Sequence, residues 1–241
     1  MSTNDSCSLK NLVLNYLQFL KNQPKGFVYN TPTEKIHQTP TAPAEAQQAT
    51  AISPTSKQKQ LDNIKYTHEN CQACPLATLG RSQVVFGEGN PNALLMFIGE
   101  GPGRDEDEQG HPFVGRAGQL LTKIIQAMGL KREDVYISNV VKCRPPGNRV
   151  PLPNESDICT NLILFKEIEI IKPRVICALG STAVQALIGN SAKITKMRGI
   201  FADFHGIPLL PTYHPAYLLR NPEAKKTVWE DMKKIMEKLK G

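Results

Sequence analysis

Two runs of this sequence could do chemistry together. One is Gly99-Glu100-Gly101-Pro102-Gly103; the other is Pro112-Phe113-Val114-Gly115-Arg116-Ala117-Gly118-Gln119. Between them they offer backbone N–H groups, a carboxylate in Glu100 and a flat apolar face in Phe113. Such a set suits a planar ligand with polar edges, such as a nucleobase. Further along, Thr212-Tyr213-His214-Pro215-Ala216-Tyr217-Leu218-Leu219-Arg220 sets an imidazole beside a rigid proline. Of the five histidines, His214 alone stands at a predicted strand's carboxyl end, a place suited to catalysis.

Asn139 lies in the apolar run YISNVV, where a central strand prefers apolar residues. A buried amide must find hydrogen-bond partners. One reading has neighbouring backbone satisfy it; the other aims it at a ligand. An amide donates and accepts at once, which matches the O4 and N3–H edge of uracil. The loop Lys142-Cys143-Arg144-Pro145-Pro146-Gly147-Asn148-Arg149 is stiffened by two prolines and flanked by three cations. It is either an exposed turn or a rigid edge laid on phosphates. Gly180-Ser181-Thr182 opens a helix, whose free N–H groups form an anion site; N-capping by Ser181 is the plainer reading.

Six cysteines are present. Cys71 and Cys74 form a C-x2-C pair before Pro75, and Cys143 and Cys159 follow. Two thiols on one turn and two more brought in by the fold can make an S4 site, suited to an iron–sulfur cluster or to zinc; four unrelated buried cysteines are the plainer reading. Spacing alone leaves the two open. The pair precedes the first strand, which argues against a thioredoxin-like redox motif. Cys177 reads as core, and Cys7 has no apparent partner.

These groups need a scaffold, and the hydrophobic pattern supplies one. Strands are predicted at 93–98, 135–141, 174–179 and 207–211. Helices are predicted near 117–128, 154–171, 181–188 and 223–240. Alternation of this kind implies a parallel sheet covered on both faces. The expected fold is a three-layer α/β/α domain with a central four-stranded, mostly parallel sheet. The loops with Glu100 and His214 then fall at the carboxyl ends of strands, where ligands bind in such sheets.

Residues 9–20 have apolar positions at helical spacing (Leu9, Leu12, Val13, Tyr16, Leu17, Leu20). Residues 30–59 carry Pro32, Pro40, Pro43 and Pro54 among Thr, Ala, Gln and Ser. Such a stretch buries little apolar surface and reads as a disordered linker. The expected division is an extension over 1–60 and a folded body over 61–241. The net charge of +7 leans toward a polyanionic partner. No apolar run is long enough to span a membrane. No secretory signal is seen at the N-terminus. Cytoplasmic residence follows, and it argues against structural disulfides.

Taken jointly, GEGPGRDEDEQGHPFVGRAGQLL, SNVVKCRPPGNR, HPAYLLR and the four cysteines resemble a family 4 uracil-DNA glycosylase over roughly residues 61–241. Each motif alone is weak; their joint occurrence is specific. Family 5 enzymes generally lack the acid at Glu100. The branch that crosslinks to DNA carries an extra basic loop with a histidine, absent here. The resemblance implies the α/β/α uracil-DNA glycosylase fold and a [4Fe–4S] cluster on Cys71, Cys74, Cys143 and Cys159. It implies excision of uracil from DNA, leaving an abasic site, as the first step of base excision repair. Phe113 then stacks on the flipped base, and Asn139 pairs with its O4/N3 edge and rejects cytosine. Gly101 stands in the base pocket where many relatives have Ala. Glu106 lies near the base and helps to exclude the 5-methyl of thymine. His214 hydrogen-bonds O2 of the departing uracil, Glu100 orients the water, and Asn148 helps to hold it. Leu218 fills the gap left by the flipped base, with a core leucine as the rival reading. Arg144, Arg149, Ser181 and Arg220 contact phosphates. The implied partner is uracil-containing DNA, single- or double-stranded, bound by a monomer with no membrane involved.

The competing function is a non-catalytic iron–sulfur DNA-binding module of replication or repair. Such a module need not keep Glu100, Asn139 and His214 together. A third reading is a mononucleotide-binding protein that uses the Gly-rich loop; the glycines at 99–103 follow G-x-G-x-G and not G-x-G-x-x-G, so the dinucleotide fingerprint is absent.

Overall fold

The computed structural model describes residues 54–189 and 191–240. The expected helix over 9–20 and most of the expected linker over 30–59 lie outside them. The expected boundary at residue 61 falls inside a helix, α1 (Pro54–His68). Its apolar positions are sparse, but Leu61 and Ile64 share one face and are buried. Lys57 Nζ also donates to the Ile171 carbonyl at 2.8 Å. The helix ends one turn before Cys71, whose N–H donates to His68 O at 3.1 Å. It therefore presents the C-x2-C pair to the body.

The sheet has six strands where four were expected: β1 (Glu88–Gly89), β2 (Leu95–Gly99), β3 (Tyr136–Asn139), β4 (Val175–Leu179), β5 (Ala202–Phe204) and β6 (Ile207–Thr212). Their order is β1-β3-β2-β4-β6-β5. The inner four are parallel, as the alternation requires, and the two short outer strands are antiparallel. Strands of two and three residues give too little pattern to read. β5 and β6 are joined through His205 and Gly206, both left-handed at φ 50 and 84. Two such residues form the turn whose twist matches a hairpin.

The inner strands are buried on both faces. Along β2, Leu95 and Phe97 join one core cluster, while Met96 and Ile98 join the other. The first cluster packs under α3 (Arg116–Ala127) and α9 (Ala224–Lys240), through Leu121, Ile125, Val228, Met232 and Ile235. The second packs under α1, α5 (Phe165–Ile171) and α6 (Gly180–Ile188), through Leu61, Ile64, Ile168 and Val184. Short helices α2 (Arg104–Gln109), α4 (Pro153–Cys159), α7 (Ile194–Met197) and α8 (Pro215–Arg220) complete the layers. The long helix expected over 154–171 is interrupted by a π-helical turn, Thr160–Leu164, directly after Cys159. Such turns cluster at functional sites. None of the described helices is long and apolar enough to cross a membrane.

β2 leads to β3 on one side and β4 leads to β6 on the other. The connections thus run outward in opposite directions from the parallel pair β2 and β4, and the crevice at the carboxyl ends of that pair is the ligand position of such sheets.

Candidate active site and thiol pocket

At this crevice lies a cleft of about 830 Å3, within the size range of small-ligand sites. Glu100, Gly101, Glu106, Phe113, Asn139, Asn148, Arg149, Ser181, His214 and Arg220 all line it. The sequence had singled out every one of them. The sheet register explains the convergence: Gly99 pairs with Asn139, and Leu179 pairs with Thr212. Each of these strands releases its reactive residue at the same level.

Phe113 has a left-handed backbone, φ 55, which is uncommon for a bulky side chain. Three neighbours hold it there. The Glu106 carboxylate accepts from Val114 N–H and Gly115 N–H, each at 2.9 Å, and from Gly103 N–H at 3.1 Å. Arg132 donates to the Pro112 carbonyl. Gly118 lets α3 pass directly over the Phe113 backbone, where a Cβ would collide with its carbonyl. The ring ends up buried, with its centroid 5.6 Å from that of His214. Glu106 lines the cleft as expected, yet both its oxygens are spent on backbone N–H groups. Its role here is to clamp the Phe113 loop. The neighbouring Asp107 does the same for Ser82, accepting from its N–H and its hydroxyl at 2.9 Å.

Asn139 is 2 % exposed, and its Oδ1 has no hydrogen-bond partner. A Cβ on Gly99 would fall on the Phe113 ring and 2.6 Å from that oxygen. Glycine at 99 therefore keeps the ring and the amide next to one another. A buried unmet acceptor costs about 1–3 kcal/mol and calls for a reason. At Gly101 a Cβ would lie 2.6 Å from Val141 Cγ2, so alanine there needs that side chain to move.

His214 caps α8: its Nδ1 accepts from Ala216 N–H at 3.1 Å. The proton of the neutral ring therefore sits on Nε2. Burial first, and then the Arg220 charge, push its pKa down from 6.5 to about 4. The imidazole is neutral at pH 7 and offers one N–H. The strand behind it is anchored by Thr212 Oγ1, which donates to the buried Asp231 at 2.6 Å. Tyr213 lies between the Arg198 guanidinium, 5.7 Å from its ring centroid, and the Tyr217 ring at 4.8 Å. Glu100 accepts a 2.5 Å hydrogen bond from Thr182 Oγ1. That bond spans the crevice from β2 to α6. Thr182 belongs to the Gly180-Ser181-Thr182 turn, in which the sequence points to Ser181 and gives no local sign of this partner.

Several expected roles change. Leu218 is 1 % exposed and sits in the core with Phe97, Leu121 and Val228. The register of α8 turns Pro215 and Leu218 inward and leaves Tyr217 and Arg220 on the cleft. Leu218 is thus a core leucine and not a wedge. The Arg149 guanidinium is engaged by Glu155 through bonds of 2.8 and 2.7 Å. The same carboxylate accepts from Leu152 N–H at 2.7 Å. Arg149 therefore latches its loop and is not a spare cation for phosphate. Asn148 is exposed on the rim, with Oδ1 taken by Arg144 Nε at 2.7 Å. This occupied oxygen does not support a water-holding role, and Arg144 is its brace. Ser181 is exposed in the first turn of α6, and the helix N-cap is Leu179, so Ser181 is not the cap. Arg116, which the sequence did not flag, opens α3 on the cleft wall. Among the described residues, Arg116 and Arg220 form no ion pair.

The four cysteines line one small apolar cavity, together with Ala73, Val84, Lys142 and Ile163. They arrive from the turn after α1, the loop after β3 and the end of α4. Arg81 donates to Cys143 Sγ at 3.0 Å and to the Cys71 carbonyl at 2.7 Å. The Lys142 N–H donates to Cys159 Sγ at 3.3 Å. Burial pushes the thiols of Cys143 and Cys159 up to about 11 and about 12. Among the described residues, no three His, Cys, Asp or Glu side chains converge as a site for a single metal ion. Cys177 is wholly buried in β4, as expected.

The chain is similar to known proteins. The model of the uracil DNA glycosylase superfamily matches residues 86–236. A type-4 uracil-DNA glycosylase of Thermotoga maritima is 47% identical over 77% of this chain and 97% of its own length. Pyrobaculum aerophilum has two relatives. Its type-4 uracil-DNA glycosylase is 42% identical over 70% of this chain and 91% of its own length. Its type-5 uracil-DNA glycosylase is 31% identical over 62% and 79%. Of these two, the type-4 protein has the higher identity. With the parallel sheet, the crevice and these matches in agreement, the chain belongs to the uracil DNA glycosylase superfamily.

Proposed function

We infer that this protein is a type-4 uracil-DNA glycosylase, which hydrolyses the bond between uracil and deoxyribose in DNA. The observation that carries the reading is the unmet Oδ1 of Asn139, held beside the Phe113 ring. An acceptor and an amide donor on one side chain match N3–H and O4 of uracil. Cytosine presents an amino donor where O4 accepts, and so leaves the amide unpaired.

The target bond is hidden inside a duplex, so the nucleotide must leave the stack, at a cost of a few kcal/mol. Phe113 then stacks on the base. As the bond breaks, negative charge gathers on the uracil and positive charge on the sugar. The His214 Nε2–H donates to O2 of the leaving base. A preset donor of this kind is worth about a hundred- to a thousandfold in rate. Glu100, steadied by Thr182, orients the attacking water and faces the developing sugar cation. Arg220 and Arg116 offer charge to the DNA backbone, and Tyr217 offers an aromatic face at the rim.

The thiol pocket fits a [4Fe–4S] cluster. All four sulfurs line one cavity, and two of them accept N–H bonds. A bound cluster supplies a crosslink between α1, the loop after β3 and α4, and no step of the reaction passes through it. Excision is tested with an end-labelled oligonucleotide containing one uracil, followed by alkali. The expected result is strand cleavage at uracil and none at thymine. Tight binding without cleavage would point to the non-catalytic module.

A further inference from the structure

Lys142 reads in the sequence as one of three cations flanking a proline loop. In the fold its side chain is 0 % exposed. Its ammonium donates to Ser138 Oγ at 2.6 Å, to the Asn139 carbonyl at 2.7 Å and to Glu167 Oε2 at 2.8 Å. An ammonium has three protons to give, and all three are used. Glu167, from α5, is equally buried. It also accepts from Ser138 Oγ at 2.7 Å and from Gly87 N–H at 3.0 Å.

Stability alone does not account for this pair. Burying two charges is expensive, and apolar residues of similar volume are often as stable. The position of the pair is informative. β1 pairs only with Tyr136 and Ile137, and the Lys142 ammonium supplies the donor for the Asn139 carbonyl. That carbonyl belongs to the residue whose amide faces the cleft. Moreover, the Lys142 N–H reaches Cys159 Sγ, and its carbonyl accepts from Val85 N–H at 2.7 Å. One residue therefore touches the base reader, the buried acid and the thiol pocket.

We propose that Lys142 is a positioning residue for uracil recognition: its buried ammonium, held by Glu167, fixes Asn139 at the cleft, and its backbone links that setting to the thiol pocket. The proposal rests on the reading of Asn139 as the group that meets the base. The test is the double variant Lys142→Met with Glu167→Gln in the full chain, which keeps volume and leaves no charge buried alone. Single-turnover excision of uracil is measured beside affinity for the same duplex with a tetrahydrofuran abasic analogue. Iron content and melting temperature are followed in parallel.

Misplacement of a reacting group by about 1 Å costs up to about a hundredfold. Excision should therefore fall about ten- to a hundredfold, with affinity for the abasic duplex unchanged. Unchanged excision in a folded double variant would overturn the proposal. So would a parallel loss of excision and abasic binding, which is what general loosening produces. If the double variant fails to fold, Ser138→Ala decides, since it removes one partner of the ammonium and leaves both charges paired. The same split, smaller in size, is expected, and wild-type excision would overturn the proposal. Failure of the excision reading itself is distinct, because the wild-type protein would then release no uracil in the same assay.

Discussion

Acidification separates a neutral His214 from an imidazolium, and the geometry says which one works. Nδ1 is occupied as an acceptor by Ala216 N–H, so the ring donates through Nε2. Burial and Arg220 lower the pKa from 6.5 to about 4. That difference corresponds to roughly 3 kcal/mol against the charged ring. Protonation also sets two N–H groups against each other at Ala216, which removes a helix cap worth about 1 kcal/mol. The assay is single-turnover excision with protein in excess, followed from about pH 8 downward. The rate should hold to about pH 5 and fall toward about pH 4. Stability follows the same group. The unfolded imidazole binds its proton below about pH 6.5, and the folded one does so only near pH 4. Its contribution is therefore complete above pH 6.5 and lost as the pH falls to about 4. The acid loss of melting temperature across that window should be smaller in His214→Gln. An acid limb centred near pH 6.5 in the wild-type rate would refute the reasoning, since it would mean an ordinary, solvated histidine.

Two further outcomes are expected. Leu218→Ala should cost about 2–5 kcal/mol as a cavity in the core, with the ratio of excision on single- and double-stranded DNA unchanged; selective loss on duplex at native stability would restore the wedge. Purified protein should be brown and contain iron and sulfide, and Cys143→Ser should lose both; zinc in place of iron would contradict the cluster.

The reactive residues were legible because they sit where strands end. Glu100, Asn139 and His214 each follow or close an apolar run, and a parallel sheet brings such ends together, while Phe113 stands out as an aromatic in a glycine- and proline-rich loop between α2 and α3. The partners that fix them were not legible, since pairing across the fold leaves no local pattern. Glu106 looks like one acid in an acidic run, and only the folded chain shows three backbone N–H groups on its carboxylate. Lys142 and Arg149 look like surface cations, yet one is wholly buried on Glu167 and the other is latched to Glu155. Leu218 has the spacing of a wedge, and the helical register decides otherwise. The edge strands were too short to read. The helix over 54–68 was hidden because its few apolar positions lie in a polar, proline-led stretch.

The claim that an unmet amide oxygen reads the base is tested most directly by Asn139→Ala. Its single-turnover excision of uracil is compared with its binding to a duplex carrying an abasic analogue. A site built to hydrogen-bond its substrate loses heavily when the bond is absent. Excision should fall at least about a hundredfold, with the abasic duplex bound as tightly as by the wild type. Excision at the wild-type rate would contradict the account.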